Sequence, residues 1–186
     1  MKYFIVCVFF ACLFSFKQLI EIYNISINTI EGNKIELNEY RGKKILFVVL
    51  PLSADDATIS AGALKDLQKR HDSCLVIIGI VSEENGFKKG NEKKVRDLYR
   101  GSNSGFLITE GLIMKNSSAR EQSVLFQWLT TRDNNHQFNS DARGAGQKFF
   151  VNETGDLYAV IGAGVKLCDP VVERMLTLPS TRMQKQ

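Results

Sequence analysis

The sequence is short of the side chains that thiol and metal chemistry draw on, with four cysteines and two histidines in 186 residues. Cys7 and Cys12 lie in an apolar N-terminal run, so the rest of the chain keeps only Cys74 and Cys168. They form no Cys-x-x-Cys pair, which removes the dithiol motif of disulfide exchange. No cysteine occurs between Cys12 and Cys74. His71, at the end of a predicted helix, and His136, in a polar loop, have no partners at ligand or triad spacing, so neither points to a metal centre or a nucleophile. The formal charge of +4 is spread along the chain, densest at Lys88, Lys89, Lys93, Lys94 and Arg96. No aromatic residue interleaves with that stretch and no zinc-finger or helix-turn-helix pattern accompanies it, so it reads as a solvated helix face and no nucleic-acid partner is expected. There is no internal repeat.

What the chain has is enough apolar content, 44%, for one domain with a proper core. An almost unbroken apolar run from Tyr3 to Phe16 stands between Lys2 and Lys17, the layout of a signal peptide over residues 1–18. As a helix those residues would reach roughly 21 Å, short of the roughly 30 Å hydrocarbon core, so a stable transmembrane anchor is not expected. Export is expected instead, to a periplasm, an envelope or the outside. Cleavage falls after Ser15 or, in a lipoprotein alternative, at Cys12 behind Ala11; Phe9 and the apolar residues after Cys12 count against the alternative. Residues 19–178 are expected to form the domain and 179–186 a flexible tail. Asn24-Ile25-Ser26, Asn116-Ser117-Ser118 and Asn152-Glu153-Thr154 fit the glycosylation pattern, and such triplets arise readily by chance.

Periodicity orders the elements. Ile22 to Asn28 alternates, Glu31-Gly32-Asn33 turns and Lys34 to Leu37 returns, which predicts an N-terminal β-hairpin. A helical turn over Asn38 to Lys43 leads into a strand from Lys44 to Leu52, too apolar to be exposed on either face. Ile59, Ala63, Leu64 and Leu67 carry the apolar stripe of a helix over Ala57 to His71, and Cys74 to Val81 is the next strand, with Cys74 packed and inert. These make a βαβ unit with parallel strands. Further helices are predicted over Glu92 to Tyr99 and Ser117 to Leu129, with a short strand over Phe106 to Thr109 between them. Asp133 to Gly146 reads as a long loop, and Gln147 to Val151 and Leu157 to Ile161 flank the turn Asn152-Glu153-Thr154-Gly155-Asp156 as a second hairpin. A helix from Cys168 to Leu176 closes the chain. The fold class is α/β: a thioredoxin-like fold with a central mixed β-sheet flanked by helices, an N-terminal β-hairpin and a helical insertion.

From about Ile22 to Leu176 the chain resembles the glutathione peroxidase family. Glu31-Gly32-Asn33-Lys34 with Leu37-Asn38-Glu39-Tyr40-Arg41-Gly42-Lys43 is similar to the family's opening, Lys148-Phe149 before Asn152 to Asp156 is similar to its late hairpin, and Leu125-Phe126-Gln127-Trp128-Leu129 is similar to the helix placed before that strand. The family's Ala-Ser-x-Cys-Gly-x-Thr falls on Leu52-Ser53-Ala54-Asp55-Asp56-Ala57-Thr58, so the cysteine or selenocysteine becomes Asp55. Its Phe-Pro-x-Asn-Gln-Phe-Gly falls on Ile80 to Gly86, and the glutamine becomes Glu84. Its Trp-Asn-Phe-x-Lys-Phe falls on Gly144 to Phe149, and the tryptophan and asparagine become Gly144 and Ala145.

The resemblance therefore implies the scaffold without its chemistry. Peroxide reduction needs a thiolate or selenolate that attacks the O–O bond and is then reduced, and a carboxylate has no such oxidation ladder. Ionised Glu84 accepts hydrogen bonds but donates none, and Gly144 and Ala145 offer no side-chain donor. No activity is expected at these positions and no cofactor is implied. The alternative is a thiol-dependent peroxidase using Cys74 or Cys168, in the second case at a helix start, with glutathione or thioredoxin as partner only if it is active; otherwise the partner is an unnamed protein or ligand. Asp55, Asp56, Glu83 and Glu84 follow the ends of adjacent predicted parallel strands, where α/β sheets place sites. They admit a hard-cation site, an acid–base pair, or loop and cap residues, with Asp55 or Asp56 as the N-cap of the helix that follows.

Overall fold

The computed structural model describes residues 19–53, 59–99, 105–117 and 119–179. Residues 1–18, expected to be a signal peptide, Asp55 and Asp56, and most of the expected tail lie outside the described residues. The expected α/β architecture is present. The N-terminal hairpin pairs β1 (Ser26–Asn28) with β2 (Lys34–Glu36) in antiparallel fashion. The main sheet contains β3 (Lys44–Val49), β4 (Leu75–Ile80), β5 (Leu107–Ile108), β6 (Lys148–Val151) and β7 (Leu157–Ile161) in the order β5-β4-β3-β6-β7. β3, β4 and β5 run parallel, while β6 and β7 are antiparallel to their neighbours, so the sheet is mixed as its hairpin and βαβ signals require. The first hairpin covers the edge of β5: Ile30 N donates to Ile108 O at 3.1 Å and Glu110 N to Asn28 O at 2.7 Å. That removes one exposed edge, which is otherwise open to pairing with other chains.

The strand period of two sorts the core into two layers. Ile45, Phe47 and Val49 of β3, Ile78 and Ile80 of β4 and Phe149 of β6 face a layer closed by helix α3 (Val124–Thr130) through Leu125, Phe126, Trp128 and Leu129. Leu46, Val48, Ile77 and Phe150 face the other, closed by α1 (Ala61–Arg70) and α5 (Pro170–Thr177) through Leu64, Leu67, Val172 and Leu176, with α2 (Glu92–Tyr99) beside them. Lys44 is the exception in β3. It is buried, and its Nζ donates to the carbonyls of Leu176, at 2.9 Å, and Leu178, satisfying the end of α5, where a cation also suits the helix dipole.

Several element boundaries move from expectation. Ile22–Asn24 forms a 3-10 turn before β1. α1 begins at Ala61 rather than Ala57, because Ser60 supplies the cap: its Oγ accepts from Ala63 N at 3.1 Å. Neither Asp55 nor Asp56 is therefore the N-cap. α3 begins at Val124 rather than Ser117, and Arg132–Asn135, expected to be mostly loop, is a short helix α4.

Candidate functional site

The site the sequence singles out is the end of the sheet where β3 and β4 finish together. Leu50 N donates to Ile80 O at 2.8 Å, carrying the parallel pairing one step past β3. Pro51 O accepts from the buried Tyr99 hydroxyl at 2.7 Å and Ser53 is exposed. The chain is next described at Ile59, which is buried in the core.

After β4, Ser82 is fully buried and its Oγ accepts from Asn85 N at 3.2 Å, starting a 3-10 turn over Glu83–Asn85. Gly86 ends it at φ 89°, a conformation glycine takes at little cost. Glu83 pairs with Arg120. Glu84 Oε1 accepts from Met114 N at 2.8 Å and Lys115 N at 3.0 Å. Both carboxylates are thus committed to the segment 113–120, away from the strand ends. Asn85 takes the other direction: a β-carbon at Gly144 would lie 3.1 Å from its Oδ1. Its Nδ2 is buried with no acceptor among the described residues. We expect Glu84→Ala to cost about 1–3 kcal/mol, because two backbone N–H groups lose their acceptor; Glu84→Gln keeps a carbonyl there and should cost less than half as much. Urea unfolding of the two variants checks the contrast.

Gly144 and Ala145 lie beside the end of β3, where the resemblance puts the tryptophan and asparagine. Gly146 N donates to Val49 O at 2.7 Å and Val49 N to Gln147 O at 2.9 Å, so the loop joins the sheet there. Gly144 has φ 109°, a region that L side chains rarely adopt. A tryptophan at this position would meet both that strain and Asn85, so the missing indole is matched by the backbone.

The two thiols occupy opposite ends of the sheet. Cys74 is exposed, in the turn between α1 and β4, which corrects the expectation of a packed thiol. Its carbonyl accepts from Lys44 N at 2.8 Å, placing it where β3 begins rather than where it ends. The strand starts one residue later, at Leu75, so the thiol falls in the turn, outside the two-sided core. Cys168 is exposed just before Asp169, whose Oδ1 accepts from Val171 N at 2.9 Å as the N-cap of α5. The loop holding Cys168 follows β7 at the same end of the sheet as Ser53 and Gly144, because Ile161 pairs with Lys148 and Lys148 with Val48. A six-residue strand, roughly 20 Å, separates the two ends, well beyond disulfide reach.

Lys148, which in the sequence stands only as part of a matched motif, is a structural feature of this end of the sheet. It is fully buried, and its Nζ donates to Gly146 O at 2.7 Å and Val165 O at 2.6 Å, tying the Gly144 loop to the loop that leads to Cys168. Burial lowers its pKa from the usual 10.5 to about 8. The folded state therefore resists protonating it, and between about pH 8 and 10.5 the unfolded chain binds more protons than the folded one. Stability should rise with pH across that window, by about 2 kcal/mol from pH 7 to pH 9.5. Burial raises the pKa of Tyr23 and Tyr40, so their opposing effect begins only above about pH 10. Denaturant midpoints at the two pH values check the rise, which Lys148→Met should flatten.

Among the described residues no three His, Cys, Asp or Glu side chains come together to hold a metal ion, and no helix is long and apolar enough to cross a membrane. Glu83 and Glu84 are adjacent in sequence but turned to separate partners. Asn85, one residue from the position matched to the catalytic glutamine, is the amide that faces Gly144. A three-residue-per-turn helix aims each successive side chain about 120° apart, and only the turn's geometry reveals which one points inward.

No family model and no curated protein matches the sequence. Solved structures do match its fold. T. cruzi GPX1 superposes with a TM-score of 0.59 at 13% identity, covering 84% of this chain and 94% of that one. Trgpx in apo form gives 0.58 at 15% identity, covering 85% and 97%. The pneumococcal exposed lipoprotein thioredoxin Etrx1 from Streptococcus pneumoniae gives 0.58 at 13% identity, covering 83% and 98%. At such identities the likeness is one of fold: the chain has a thioredoxin-like fold, shared by peroxidase and thioredoxin structures alike.

Proposed function

We propose that this chain is an exported, divergent relative of the glutathione peroxidases that does not reduce hydroperoxides and acts by binding through the retained scaffold. The observation that carries the reading is the strand-end site itself. Glu84 is turned away to hold a neighbouring loop, Gly144 sits at φ 109° with no side chain, and no cysteine lies between Cys12 and Cys74. The likeness to Trgpx and T. cruzi GPX1 supports the peroxidase side of the kinship, as do the matched opening and late hairpin. The apolar segment from Tyr3 to Phe16 supports export.

One observation favours a second reading, a thiol-dependent peroxidase working through Cys168. That thiol is exposed and shares the strand-end side of the sheet with Ser53 and Gly144, whereas Cys74 stands at the far end. A turnover assay with hydrogen peroxide and an organic hydroperoxide, reduced by glutathione or by thioredoxin, separates the two. Consumption at the rate of the heat-denatured control supports binding without chemistry. Turnover that Cys168→Ser abolishes and Cys74→Ser leaves intact supports the thiol reading. Of the four carboxylates of the cation reading, Glu83 pairs with Arg120 and Glu84 accepts from Met114 N and Lys115 N, while Asp55 and Asp56 lie outside the described residues.

A further inference from the structure

Among the described residues the sheet is incomplete at the end opposite the candidate site: β5 pairs with Ile78 and Gly79, and no described strand lies beside Leu75, Val76 and Ile77 of β4 on that edge. The side chain of Gln68, from α1, stands in for one. Its Nε2 donates to Leu75 O at 2.8 Å and its Oε1 accepts from Ile77 N at 2.9 Å. A residue of an adjoining strand would offer the same donor and acceptor to the same two groups. The carboxamide thus satisfies a strand edge with a group that can be withdrawn, where a strand would have closed it for good.

A groove of about 490 Å³ opens beside Gln68. Half-buried Val76 and Leu107 line it with apolar surface, and Lys43, Lys65 and Lys69 bring positive charge to it. Lys65 and Lys69 are four apart on α1 and so share one face. None of the three lysines has a carboxylate within ion-pair distance among the described residues, and Asp72 is the one acidic side chain lining the groove. A strand edge, an apolar floor and an unneutralised basic rim together suit an extended chain of opposite charge.

We propose that this groove binds an acidic, extended segment of a partner protein, which pairs with Leu75 and Ile77 in place of the Gln68 carboxamide. Apolar residues of one face rest on Val76 and Leu107, and carboxylates of the other face Lys43, Lys65 and Lys69. The proposal gives the binding role argued above a partner of defined chemistry and rests on that role, but at a surface remote from the strand-end site. A failed binding experiment leaves the peroxide result untouched, and turnover leaves the binding result untouched.

The test is fluorescence anisotropy with a short fluorescein-labelled peptide of alternating glutamate and valine, against its lysine–valine counterpart and a polyglutamate of equal length. The acidic alternating peptide should bind saturably, more tightly than polyglutamate, and the basic one should not bind. The double variant Lys65→Glu/Lys69→Glu, both exposed positions, should weaken binding roughly tenfold or more, and added salt should weaken it too. Gln68→Ala, shown to be folded by circular dichroism, should tighten binding several-fold, because the edge is then free. No saturation up to millimolar peptide would overturn the proposal. So would equal binding of polyglutamate, indifference to charge reversal at Lys65 and Lys69, or unchanged affinity in a folded Gln68→Ala variant.

Discussion

Asp55→Cys, made in a background where Cys74 and Cys168 are serine, should give a thiol that hydrogen peroxide oxidises within about tenfold of the rate for free cysteine. Fast peroxidatic thiols rely on groups that stabilise the thiolate and the charge developing on the leaving oxygen. Preorganised donors of that kind are each worth about 10²–10³ in rate. The positions matched to the family donors supply none. Glu84 accepts from Met114 N and Lys115 N, Gly144 has no side chain, and Ala145 has only a methyl group. Among the described residues, the buried side-chain donor left unsatisfied is Asn85 Nδ2. Stopped-flow loss of thiol reads the rate directly. Oxidation more than about a hundredfold faster than free cysteine would show that the site retains catalytic power, and loss of that excess in Asn85→Ala would identify its source.

Gly155→Val should destabilise the scaffold by about 3 kcal/mol. Gly155 ends the turn between β6 and β7 with φ 90°, and a left-handed conformation costs an ordinary residue about 1–2 kcal/mol, more when β-branched. A β-carbon there would lie 2.5 Å from Tyr23 Cε2 and 3.0 Å from Ile22 Cγ2, and such overpacking adds about 1–3 kcal/mol. Tyr23 has little freedom to withdraw: it is buried, its hydroxyl donates to Glu153 O at 3.2 Å, and the Arg41 guanidinium lies 4.1 Å over its ring. For a domain of this size the melting temperature should fall by roughly 6–12 °C. A fall under about 2 °C would mean that the β6–β7 turn does not pack on the N-terminal segment as described.

The same glycine illustrates what the sequence reveals. The run Asn152-Glu153-Thr154-Gly155-Asp156 announces a hairpin because its turn chemistry is local: Asn152 Oδ1 accepts from Thr154 N at 3.0 Å and Asp156 N at 2.8 Å, all within the motif. That Gly155 also has to admit Tyr23 is long-range and leaves no local trace. β3 was legible because burial on both faces demands a continuous apolar run. Where such a run begins was not, since Cys74 extends the apolar pattern of Leu75 to Ile80 yet sits in the turn. Ser117 to Ser123 has helix-compatible residues, but Gln122 N donates to Asn116 Oδ1 at 2.7 Å and its Nε2 to Met114 O at 2.6 Å, so side-chain bonds across the loop displace the helix. Asn135 looks like loop polarity and is instead buried, with Nδ2 donating to Trp128 O at 2.9 Å.

At the candidate site the legible part was identity. Absence of a cysteine and loss of the indole follow from reading residues in order, while the direction in which Glu84 and Asn85 point follows from a 3-10 turn capped by Ser82. Lys148 lies inside the strand Lys148–Val151, and of its two acceptors Gly146 is two residues away while Val165 comes from a loop that meets it only in the fold, so its burial leaves no local trace.

If the chain has lost the peroxidase chemistry as proposed, peroxide oxidises no group in it at catalytic speed. Intact-mass spectrometry of the folded protein, mixed with one equivalent of hydrogen peroxide and a sulfenic-acid trap and quenched over seconds, tests this most directly. The mass should stay unchanged, with any later adduct on Cys74 or Cys168 forming no faster than on free cysteine. A trapped sulfenic acid appearing within seconds on either thiol would contradict it.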